Sequence, residues 1–139
     1  MPESSPADSW EYTLYIPHDP RAVSVSRRTL RLILAAHGLP HLAEVAELLA
    51  TELISNAVCH TKGPAALRLR WSRRTLRIGA WDADPTPPTP PETPEADAEQ
   101  GRGLTLVRTC ADGWGWYPLT GDNSESGKYV WCELAGAVA

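Results

Sequence analysis

Glu47-Leu-Leu-Ala-Thr-Glu-Leu-Ile-Ser-Asn-Ala-Val-Cys-His60 decides how the rest of this chain is read. Good helix formers fill the stretch. Leu42, Val45, Leu49, Leu53 and Ala57 recur at spacings of three and four, which predicts an amphipathic helix from about His41 to His60. Glu52 and Asn56 lie four apart, so their side chains stack on one face, one turn from each other. An amide oxygen can enter the shell of a hard cation, and a carboxylate beside it can orient or deprotonate a nucleophile. A solvated polar pair on an ordinary helix would look the same, so the flanking sequence has to choose.

Upstream, Trp10-Glu-Tyr-Thr-Leu-Tyr-Ile16 alternates and predicts a strand with Trp10, Tyr12, Leu14 and Ile16 on one face. Asp19-Pro20 is a helix start, an acid at the cap followed by proline at the first helical position. The helix runs to about His37 on a stripe of Val23, Leu30, Ile33 and Leu34, with Arg27, Arg28 and Arg31 on the wet side. Gly38 stops it.

Downstream, Ala66–Trp71 and Thr75–Asp82 both alternate and flank Ser72-Arg73-Arg74, a β-hairpin with one wet face. That face collects Arg68, Arg70, Arg73, Arg74 and Arg77. A nucleic-acid surface is one reading of these arginines, and a solvated sheet face offset by acids is the other. Residues 84–100 hold no core former and are loaded with proline and acid, which excludes a helix or central strand and suggests a lid or linker. Gly101-Arg-Gly-Leu-Thr-Leu-Val-Arg-Thr-Cys-Ala111 opens a short helix, Asp112-Gly113 a turn, Trp114–Tyr117 a strand, and Lys128–Leu134 the last strand. The expected fold is an α+β two-layer sandwich. Its mixed, mostly antiparallel sheet of about five strands is covered on one face by three helices.

The chain has 139 residues, enough for one domain with a core. The expected organisation is a disordered tail at 1–9 and one domain at 10–135, with the proline-rich lid at 84–100. Net charge is -4, so no global electrostatic case exists for nucleic acid or an anionic membrane. No apolar run approaches the roughly 20 residues of a bilayer span. The first residues lack the basic and apolar regions of a secretory signal. Three widely spaced cysteines do not make a disulfide framework, and a cytoplasmic protein with buried free thiols is expected. Zinc or redox chemistry through Cys59, His60, Cys110 and Cys132 lacks a ligand pair at zinc-finger spacing.

Three pieces form a set: Glu52-x-x-x-Asn56 on the long helix, Trp81-Asp82-Ala83-Asp84-Pro85 at a strand end, and Gly101-x-Gly103 at a helix start. In this order the chain resembles the Bergerat (GHKL) ATP-binding superfamily. More narrowly it is similar to stand-alone RsbW-like anti-sigma-factor serine/threonine kinases. Thr51–His60 matches the N box, Ile78–Pro85 the G1 position, Gly101–Val107 the G2 box, and Gly127–Trp131 the closing strand.

The resemblance implies ATP and Mg²⁺ as cofactors. It implies that Asn56 holds the metal and that Glu52 is the general base. Asp82 would accept the adenine amino hydrogens, with Asp84 beside it. Gly101, Arg102, Gly103 and Leu104 would bring backbone N–H groups and one cation to the phosphates. His60 occupies a position common in the family, or simply caps the helix. The implied partner is an anti-anti-sigma (STAS-type) protein, a sigma factor, or both, with no direct nucleic acid or membrane contact and with a homodimer as a further option. The G1 segment lacks the glycines usual there, the lid is acidic, and Tyr129 stands where threonine is usual. Kinase activity therefore competes with a second expectation, a non-catalytic module that sequesters a regulator.

Overall fold

Two alternating strands joined by two residues are the most local element of this fold, and everything else packs on or beside them. The computed structural model describes residues 9–60, 65–83, 110–119 and 127–136. In chain order it runs β1 (Trp10–Ile16), α1 (Arg21–Ala36), a short 3-10 turn (Pro40–Leu42), α2 (Ala43–His60), β2 (Ala65–Ser72), β3 (Thr75–Asp82), β4 (Gly113–Leu119) and β5 (Gly127–Ala135). The five strands form one sheet in the order β1-β2-β3-β5-β4.

The expected α+β two-layer sandwich with a mostly antiparallel sheet of about five strands is borne out, and among the described residues all four pairings are antiparallel. Each strand enters from the end opposite its neighbour's, so no βαβ crossover arises among the described residues. Two α-helices cover one face. The third, expected over Gly101–Ala111, lies outside the described residues apart from Cys110 and Ala111. The lid at 84–100 and nearly all of the tail at 1–9 also lie outside them.

The helix-facing side of the sheet is set by period two. Leu67 and Leu69 of β2, Leu76 and Ile78 of β3, and Cys132 of β5 are fully buried, against Leu30, Leu34, Leu49 and Ile54 from the helices. Each such aliphatic side chain contributes about 1.5–3 kcal/mol of transfer free energy. On α2 the inward stripe is Ala43, Ala46, Leu49, Ala50, Leu53, Ile54 and Ala57, continuing from Leu42 of the 3-10 turn. Val45, expected in that stripe, is 40% exposed. The stripe is centred one position further on, at the small Ala46, which lets α2 lie close to the sheet.

Both ends of α1 are fixed as the sequence suggests. Asp19 Oδ1 accepts the Arg21 backbone N–H at 2.9 Å, and the Arg21 guanidinium folds back on the same carboxylate. That hydrogen bonding holds the Asp19 carboxyl below its ordinary pKa. At the other end Gly38 has φ +76°. The Leu39 N–H donates to the Leu34 carbonyl at 2.8 Å and the Gly38 N–H to that of Ala35 at 3.2 Å, which is a Schellman stop. Arg31 joins the two helices by donating to Glu47 Oε1 at 2.6 and 2.7 Å. Both side chains are partly exposed, so the pair orients more than it stabilises.

Candidate functional site

α2 places its polar ridge by exclusion. Leu53, Ile54, Ala57 and Val58 are committed to the core, which leaves Glu52, Ser55 and Asn56 half-buried on the flank of the helix. Only residues 61–64 separate the end of α2 at His60 from the start of β2 at Ala65, a span of at most about 18 Å. The C-terminal end of α2 at His60 is therefore within that reach of the Ala65 end of the sheet.

Asp82 is at that same end. Ala65 of β2 is its register partner on one side and Lys128 of β5 on the other. On β3 the buried residues Leu76, Ile78, Ala80 and Asp82 alternate, so the Asp82 side chain is on the face that α2 covers. It is 3% exposed. Asp82 and the C-terminal end of α2 are thus both tied to the Ala65 end of β2, one by register and the other by the short connection, and Asn56 and Glu52 lie about one and two turns back along the helix from His60. Asp84, Gly101, Arg102, Gly103 and Leu104 lie outside the described residues, as does the side chain of His60.

Sequence reasoning missed Lys128. Its ammonium donates to Asp82 Oδ1 at 3.0 Å, and it is itself 5% exposed. Gly127 makes the approach possible, because a Cβ there would run into the Asp82 backbone carbonyl. A signal was present. Lys128 alternates with Val130, Cys132 and Leu134, so it occupies an inward register position, where a charge needs an acid.

The donor chemistry fits a magnesium nucleotide. Asn56 offers a neutral amide oxygen at a half-buried position, suited to an ion that keeps several of its waters. Glu52 is a carboxylate accessible to a hydroxyl. Asp82 is an acceptor at a buried strand end, where the cost of leaving a mismatched group unpaired gives selectivity. Among the described residues no group of three or more His, Cys, Asp or Glu is placed to hold a metal by itself. Burial pushes the Cys132 thiol up to about 12, far from a reactive thiolate. No helix among the described residues is long and apolar enough to cross a membrane.

The family model described as histidine kinase-like ATPase domain matches residues 16–123. That span contains Glu52, Asn56, Asp82 and the glycine pair, and it stops short of Lys128. No curated protein matches the sequence.

Proposed function

Because the chain belongs to the histidine kinase-like ATPase family, an ATP-binding fold of the GHKL type, we propose that it is a regulatory serine/threonine kinase of the anti-sigma-factor kind. It acts on a hydroxyl of an anti-anti-sigma (STAS-type) partner and also binds a sigma factor. What supports the reading is that the matched span holds the Glu52–Asn56 ridge of α2 and the buried Asp82 strand end, with α2 joined to β2, the register neighbour of Asp82, by a short connection.

In this reading Asp82 accepts the adenine amino hydrogens. Asn56 is the protein ligand of Mg²⁺, which when bound neutralises phosphate charge. Asp84, Gly101, Arg102, Gly103 and Leu104 contact the nucleotide from segments outside the described residues. Glu52 takes the proton of the partner's hydroxyl as its oxygen bonds the γ-phosphorus and the bond to the ADP oxygen breaks. The partner supplies the hydroxyl in trans.

One observation bears on the adenine pocket that both readings share. Asp82 already accepts a buried ammonium from Lys128, and adenine would have to share that carboxylate. Calorimetric titration with Mg-ATP tests the part common to both readings, with Asn56→Ala expected to remove the metal-dependent affinity. Transfer of labelled γ-phosphate to a STAS-type partner separates them. Transfer that persists in Glu52→Ala overturns the assignment of the base. Tight Mg-ATP binding without transfer leaves the sequestering module.

A further inference from the structure

The sheet face turned away from the helices carries rings where a solvated antiparallel face ordinarily carries polar side chains. Register aligns Tyr15, Ala66, Trp81, Tyr129 and Tyr117 in one row across all five strands. At the usual strand spacing the row is about 19 Å long. Tyr15 is 82% exposed and Tyr117 44%. Tyr129 lies flat across β3, because position 79 is glycine and a Cβ there would run into the tyrosine ring. The Tyr117 and Tyr129 rings are 5.3 Å apart and tilted by 42°, which makes an angled wall.

A cleft of about 140 Å³ follows this row, lined by Thr13, Arg68, Trp81, Tyr117, Leu119 and Tyr129. The Arg68 guanidinium stands 5.8 Å over the Tyr129 ring. Its ion pair with Glu11, 3.1 Å long, is about half exposed on both sides, so it is weak and exchangeable.

The geometry points to this cleft as a docking site for an extended, proline-rich segment of a partner protein that carries an acidic residue beside its prolines. A polyproline II strand rises about 3.1 Å per residue, so about six residues cross the row. Pyrrolidine rings pack on aromatic faces, and the segment is preformed, so little chain entropy is lost. Among the described residues Arg68 is the one cation that lines the cleft, and it matches one carboxylate. A single-stranded nucleic acid would use the same rings but brings a phosphate with every base, and of the face's Arg68, Arg70 and Arg77 the first and last are already paired with Glu11 and Glu133, which leaves little cationic charge for a run of phosphates. The site is on the face opposite Asp82 and stands independently of the nucleotide reading.

The test is calorimetric titration of the full chain with acetyl-PPEPPEPP-amide, with NMR shift mapping, and with PPQPPQPP and AAEAAEAA peptides as controls. The expected result is saturable binding of the first peptide, mapped to β2, β3, β4 and β5. Tyr117→Ala weakens it roughly tenfold, as loss of a stacking wall does. Arg68→Gln weakens the glutamate peptide by a similar factor but leaves the glutamine peptide unchanged. Both residues are exposed, so both variants should keep the wild-type melting temperature. No saturable binding, or equal binding of the alanine peptide, overturns the proposal. Competition by oligothymidine with a steep salt dependence makes the face a nucleic-acid platform instead. Self-association abolished by Tyr117→Ala makes the occupant a second copy. Binding seen only after the chain's own prolines at 85–94 are replaced by glycine and serine makes the occupant internal, and each of these ends the claim of a partner peptide.

Discussion

Lys128 Nζ lies 3.0 Å from Asp82 Oδ1 across the β3–β5 register, with both side chains more than nine-tenths buried. Taking two charges out of water costs about as much as their attraction returns, so such a pair is poorly explained as a source of stability. In the proposed reading Asp82 is the adenine acceptor, which gives the pair a role other than stability. Removing one partner takes a charge-assisted hydrogen bond from a charge that stays buried. Lys128→Met alone should cost about 3–5 kcal/mol in urea unfolding, and Asp82→Asn should also be costly. The double variant should recover most of that loss. If the two single costs simply add in the double variant, the pair is not a coupled unit.

The β2–β3 connection holds a second testable strain. Arg73 and Arg74 have φ of 53° and 62°, the left-handed conformation a two-residue hairpin demands and which asparagine and glycine adopt far more readily. Their side chains are exposed, and the Gly136 N–H donates to the Arg74 carbonyl at 2.8 Å, a backbone contact that any residue at 74 keeps. Arg73→Asn with Arg74→Gly should therefore raise stability by about 1 kcal/mol. Arg74→Val should lower it, and chemical denaturation reads both.

Local signals carried most of the fold into view before any coordinates. The Asp19-Pro20 start, the Gly38 stop and the alternation of β1, β2 and β3 are each written in a few neighbouring residues, and each appears where the sequence puts it. The Glu52–Asn56 spacing and the strand end at Asp82 are equally local. The all-antiparallel order was not legible, because β3 pairs with β5 across a sequence separation that no periodicity reports. The exposure of Val45 was hidden for a related reason: 3.6-residue periodicity gives a stripe but not its centre, which is set by what α2 meets on the sheet. Lys128 reads as an ordinary strand lysine until Asp82 appears opposite it.

Gly79 gives the open face its shape. A methyl group there would run into the Tyr129 hydroxyl and ring, and Tyr129 is only 7% exposed. Gly79→Ala should cost about 1–3 kcal/mol by overpacking. In a Tyr129→Ala background the same substitution should cost much less, because the ring it displaces is gone. A double-mutant cycle by thermal unfolding measures this coupling, and purely additive costs would show that the ring is not what glycine accommodates.

Cys132 supplies a pH dependence with a defined sign. Burial, with a smaller contribution from Glu133, raises its thiol from 9.0 to about 12. Below about pH 9 the folded and unfolded chains both hold the proton, and this group adds no slope. Above that the unfolded chain releases it while the folded chain retains it, so stability falls as pH rises towards about 12. Burial also raises Tyr129 from 10.0, so the wild-type decline has two sources and the useful quantity is a difference. Cys132→Ala should lose stability at neutral pH through the cavity it leaves, yet decline less steeply than wild type above pH 9. The same protection should show in labelling. An aromatic disulfide reagent at pH 8, with sites mapped by mass spectrometry, should modify the exposed Cys110 promptly and reach Cys132 only after denaturant is added. Equal labelling of the two thiols in the folded protein would mean that β5 opens far more often than its packing between β3 and β4 allows.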